Sequence, residues 1–127
     1  MGVFTGKLTV TKVGENVWMV EEPFSYHPSN QWLRTVNVPE GTLTDFASVP
    51  RVFWTLFPRD GLYTQAAVVH DYLYQTHIGT KEDADKTFLE AMQSLGVGFW
   101  TRYTMYWSVR LFGGGVYKTY GSINNGK

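Results

Sequence analysis

The residues best suited to chemistry in this chain fall in two short clusters. The first is His70-Asp71-x-x-Tyr74, and the second, a little further on, is Ala84-Asp85-x-x-Phe88. An imidazole titrates near ~6.5, so it can take and return a proton at neutral pH, and a carboxylate on its far nitrogen fixes the tautomer that does so. If both clusters are helical, His70 and Tyr74 lie four apart on one face. Asp71 then turns about 100° away, toward a different partner. Asp85, arriving from a second helix, is the carboxylate placed to meet the imidazole. A third run, Thr44-Asp45-Phe46-Ala47-Ser48-Val49-Pro50-Arg51, precedes them. Ser48 as a nucleophile toward His70 and Asp85 lacks a surrounding GxSxG elbow. Its simpler reading is a helix N-cap, with Pro50 in the first turn.

Taken together, TDFASVPR, an aromatic and proline segment, AAVVHDYLY and ADKTF, spread over about residues 41–113, resemble a family of phage and prophage proteins, the domain of unknown function 1353. That resemblance implies a phage gene product. The helix pair HDxxY and ADxxF is also similar to the catalytic helices of secreted phospholipase A(2) enzymes, including viral capsid-borne ones. This second resemblance implies His70 as general base for water and Asp71 as a calcium ligand. Tyr74 and Asp85 are then the groups that orient the imidazole. The glycine-rich calcium loop of those enzymes has no counterpart here, because no glycine lies between Gly41 and Gly61. Asp45 is the residue expected to supplement Asp71 as a metal ligand, since calcium needs several oxygens.

Each of these residues also has a plain structural reading. A buried histidine satisfied by Asp85 or Tyr74 needs no catalysis. Asp71 can pair with Arg51 or Arg102, or accept from backbone amides, and Asp83 reads as a cap. His27 and His77 are isolated and fit loop or surface positions better than ligand roles. Trp100, Tyr103 and Trp107 recur at helical spacing. Such a stripe is ordinarily core, and where it is exposed it marks a protein–protein interface.

The elements that must position these side chains form an α+β fold. A β-rich part spans about residues 5–45, with alternation from Lys7 to Lys12 and from Asn16 to Val20. A further strand pair is expected over Trp32–Val38 and Thr42–Asp45, with Pro39-Glu40-Gly41 as its turn. Three or four helices follow, at about 49–57, 63–77, 81–95 and 99–112. Gly79 closes the second, and Thr80 with Asp83 begins the third as an N-cap and its acidic third position. Gly96 and Gly98 break the third, and Gly113-Gly114-Gly115 ends the last. Residues 1–127 read as a single domain with a frayed tail at 122–127.

Bulk composition narrows the classes of function. Eleven basic residues balance eleven acidic ones and no basic run occurs, so nucleic acid is not expected as a partner. Cysteine is absent, which removes disulfides and thiolate metal sites. No signal peptide or transmembrane segment is read, and the apolar stretch from Val97 to Phe112 is broken by Arg102 and Arg110. The expectation is therefore a structural or accessory virion protein of tail, baseplate or connector. It is made in the host cytoplasm and binds other virion proteins, in a symmetric assembly. The alternative is a small calcium-dependent hydrolase of esterase or phospholipase type acting on the host envelope.

Overall fold

The structure, a computed structural model, describes residues 2–15, 17–29, 33–44 and 64–118. Among the described residues six short strands occupy the N-terminal part: β1 (Val3–Thr5), β2 (Val10–Gly14), β3 (Val17–Val20), β4 (Phe24–His27), β5 (Val36–Val38) and β6 (Leu43–Thr44). Three long helices follow among the described residues: α1 (Thr64–Thr76), α2 (Lys81–Ser94) and α3 (Phe99–Phe112). The expected α+β architecture is thus present. The helix expected at 49–57, the 122–127 tail and Asp45 lie outside the described residues.

The strands form two three-stranded antiparallel sheets, in the orders β1-β4-β5 and β2-β3-β6. This corrects the expectation that β5 and β6 pair with each other. The turn at Pro39 exists, with the Pro39 carbonyl accepting from the Thr42 hydroxyl. Gly41, at φ +83, redirects the chain, and the Gly41 N–H donates to Val20 O while the Val20 N–H donates to Thr42 O. The reversal therefore lays β6 against β3 (Trp18 opposite Thr44) while β5 stays with β4 (Tyr26 opposite Val36). β4 was not expected as a strand at all, and Lys7–Thr9 falls outside any strand.

The helices keep the expected bounds to within a residue or two, for visible reasons. Thr80 caps α2 with a complete capping box, its hydroxyl accepting from the Asp83 N–H and the Asp83 carboxylate accepting from the Thr80 N–H. Residues 77–80 turn the chain between α1 and α2, with His77 at φ 53 and Gly79 at φ +73. Leu73, Ala66–Val69 and Tyr74 are all buried, so α1 is apolar nearly all round and sits at the centre. It packs on β5 and β6 on one side and on α2 on the other. The core comprises Val20, Phe24, Tyr26, Val36 and Val38 from the sheets, with Phe88, Ala91 and Met92 of α2 and Met105 and Val109 of α3.

α3 ends at Phe112 as expected, with Gly113 in right-handed helical conformation, and residues 114–118 form a further helical turn. Across the fold, the Tyr26 hydroxyl donates to Glu90 Oε1 at 2.6 Å, and Glu90 also accepts from the Ser29 N–H and hydroxyl. That clasp ties the first sheet to the end of α2.

Candidate functional site

α1 carries His70 and Tyr74 one turn apart, both fully buried, and the short connection at 77–80 returns α2 antiparallel beside them. Asp85 of α2 consequently meets them. Its Oδ1 accepts from His70 Nε2 at 2.7 Å and from the Tyr74 hydroxyl at 2.6 Å. Phe88, one turn further along α2, lies against the imidazole with ring centroids 4.7 Å apart. The other oxygen, Oδ2, accepts from Lys81 Nζ at 2.8 Å and Arg110 Nη1 at 3.1 Å. Four donors thus converge on one fully buried carboxylate, filling its acceptor positions. Lys81 also donates to the Val109 and Arg110 carbonyls at the end of α3. Asp85 therefore joins all three helices.

The electrostatics follow from this crowding. Burial alone would raise the Asp85 carboxyl, but hydrogen bonds from His70, Lys81 and Tyr74 outweigh it and hold it down, at about 2. Burial lowers His70 from its ordinary value, more than the Asp85 carboxylate raises it. The imidazole is thus neutral at pH 7. Because an ionised carboxylate only accepts, Nε2 carries the proton and Nδ1 is the acceptor nitrogen. Burial, then the hydrogen bond to Asp85, pushes the Tyr74 phenol well above its usual range.

Asp71 does not join this group. As its place on the helix requires, its carboxylate turns to the sheet side, accepting at Oδ2 from the Thr44 hydroxyl (2.8 Å) and Gln75 Nε2 (2.9 Å). Pairing with Arg102 does not occur; that guanidinium donates to Val97 O and lies near the Phe99 and Tyr103 rings. Among the described residues no three His, Cys, Asp or Glu side chains are grouped to hold a metal. Asp45, the other residue expected to hold calcium, and Arg51, the other cation expected near Asp71, lie outside the described residues. A cavity of about 170 Å3 between β5, α1 and α2 is lined by Val36, Tyr72, Leu73 and Thr87, and it does not reach His70.

The sequence reading missed Lys81 and Arg110. Lys81 carried a signal, four residues ahead of Asp85 on a helix; Arg110 carried none, because its partner is set by tertiary packing. Gly113 and Tyr117 were missed as well. A Cβ on Gly113 would lie 2.7 Å from the Tyr74 hydroxyl, so glycine lets α3 approach the cluster. Tyr117 stacks on His77 (3.8 Å) and meets Tyr74 edge-on (5.1 Å), closing that side. On α3, Trp100 is 81% exposed and Trp107 54%, with Tyr103 half-buried, so the aromatic stripe faces outward and not into the core.

Residues 18–109 match the family model described as a protein of unknown function (DUF1353). The chain belongs to the DUF1353 family. The matched span contains α1, α2, β4, all of β3 but Val17, and every residue bonded to Asp85 apart from Arg110. This DUF1353 protein is 40% identical over 78 residues to "Uncharacterized protein y4jT" of Sinorhizobium fredii (strain NBRC 101917 / NGR234), a match covering 60% of the chain and 23% of that relative. The DUF1353 chain thus spans about a quarter of the length of the curated relative it matches. No solved structure matches it.

Proposed function

We propose that this protein is a structural or accessory component of a tailed-phage particle that acts through contact surfaces rather than by turnover. The observation that carries this reading is the inward closure of the candidate site. His70, Tyr74 and Asp85 are fully buried, and all four donors on Asp85 come from the fold itself. What the fold turns outward instead is the aromatic face of α3. The phage origin rests on the motif resemblance described above, and other virion proteins are the partners that hold the protein in the particle. The test is a gene-deleted infection, with particles examined by mass spectrometry and electron microscopy. The protein should be found in wild-type particles and its loss should leave them defective. Complete, infectious particles that never contained it would overturn the reading.

A second reading, a small hydrolase, is favoured by one observation: Asp85 holds the Nε2 proton of a neutral His70, which is the orientation a general base requires. On this reading Asp85 and Tyr74 position the ring. Ester hydrolysis by the purified protein, assayed with and without calcium, should then be lost in a folded His70→Asn variant. Absence of cleavage by the wild type ends this alternative.

A further inference from the structure

Among the described residues outside α3, large apolar side chains are exposed singly, at Val3, Val13, Leu43 and Ile78. On α3 they are concentrated. Phe99, Trp100, Trp107, Leu111 and Phe112 are each more than half exposed on a single 14-residue helix. At 100° per residue, Trp100, Tyr103, Trp107 and Leu111 fall within about 80° of arc, so they form one continuous outward strip. A folded domain does not leave such a strip unpartnered without use for it.

Charge is distributed to match. The chain as a whole is neutral, yet all eleven acidic residues precede position 91. Residues 91–127 contain Arg102, Arg110, Lys118 and Lys127 and no acid. Around Asp85, too, the cations Lys81 and Arg110 face a single carboxylate. An apolar and anionic partner complements a strip whose own helix and following turn carry Arg102, Arg110 and Lys118 and no acid.

We infer that the outward face of α3 binds an anionic lipid interface, lying flat with its tryptophans in the headgroup layer. Tryptophan and tyrosine favour that depth, and arginine and lysine beside them are drawn to anionic headgroups. Among the described residues no helix is long and apolar enough to cross a membrane. This inference rests on the reading that the α3 face is a contact surface, and it names a lipid interface as what that face contacts.

The experiment is co-sedimentation of the full chain with vesicles of phosphatidylcholine alone and of phosphatidylcholine with phosphatidylglycerol, with tryptophan fluorescence recorded in parallel. The wild type should bind the anionic vesicles, shift its emission to shorter wavelength, and release as salt is added. Trp100→Ala with Trp107→Ala should weaken partitioning about a hundredfold, on the order of tenfold per tryptophan, with an unchanged melting curve. Lys118→Gln should weaken binding to the anionic vesicles only. A wild type that ignores anionic vesicles, or a double variant that binds like the wild type, overturns the inference. If the wild type ignores vesicles while the double variant drops out of phage particles, the strip takes a protein instead and the particle reading survives. If vesicles are bound but particles never contain the protein, the lipid inference stands and the particle reading falls.

Discussion

Replacing Asp85 by asparagine is the most informative single change, because it keeps the shape of the side chain and removes only its charge and half its accepting capacity. An amide oxygen can still accept from His70 and Tyr74, which now sit 2.7 and 2.6 Å from Oδ1. The amide nitrogen then points its two hydrogens at Lys81 and Arg110, donor against donor. Flipping the amide merely exchanges which pair is stranded. Lys81 and Arg110 are 20% and 31% exposed, so water relieves part of their loss, while Asp85 itself has no exposure. Removing one partner of a buried charge network costs about 3–5 kcal/mol, and the partial exposure of the cations sets the lower half of that range. Against a total stability of about 5–15 kcal/mol this lowers the melting midpoint by roughly 10–15 °C for a domain of this size. Thermal and denaturant unfolding followed by circular dichroism measure it. Lys81→Met should cost less, since Arg110 still neutralises the carboxylate. A loss below about 1 kcal/mol for Asp85→Asn would refute the view that this carboxylate is what binds the three helices together.

Other expectations are more local. Acid should destabilise the fold in two stages: His70 is neutral when folded but takes a proton near ~6.5 when unfolded, so stability falls below about pH 6.5. The depressed Asp85 carboxyl then adds a loss as pH falls from 3.8 toward about 2. Denaturant midpoints across pH test this, and His70→Gln should flatten the upper stage. Gly113→Ala, whose Cβ would lie 2.6 Å from Val109 O and 2.7 Å from the Tyr74 hydroxyl, should cost about 1–3 kcal/mol, whereas Gly114→Ala meets nothing within 4 Å and should cost nothing measurable by the same melt. Tyr26→Phe removes the 2.6 Å bond to Glu90 and should cost about 1–2 kcal/mol in denaturant titration.

The helices were legible because each carries its own punctuation. Thr80 and Asp83 announce the start of α2, Gly79 and Gly96 stand at positive φ beside helix ends, and the buried positions recur at helical spacing. The strands were poorly legible because they are two to five residues long, too short for alternation to register. β4 was hidden further by Pro23 and Pro28, which flank Phe24–His27 and read as loop, although neither interrupts the ladder itself. The β5–β6 error has a different origin: strand pairing is a long-range choice, and a proline–glycine turn fixes a reversal without fixing the partner. At the site, the His70–Tyr74–Asp85 contact followed from spacing plus one short connection. Arg110 did not, because its meeting with Asp85 depends on how α3 lies on α2.

The clasp between Tyr26 and Glu90 joins residues 64 positions apart, whereas α1, α2 and α3 touch in chain order through connections of a few residues. Closing long loops is slow, and local contacts form early. The helical half should therefore assemble in the rate-limiting step and the sheets dock onto it afterwards. In stopped-flow experiments Asp85→Asn should slow folding, and Tyr26→Phe should leave the folding rate almost unchanged while speeding unfolding. The lifetime of the folded molecule would then be governed at the sheet–helix clasp, far from the polar cluster that decides whether it folds at all.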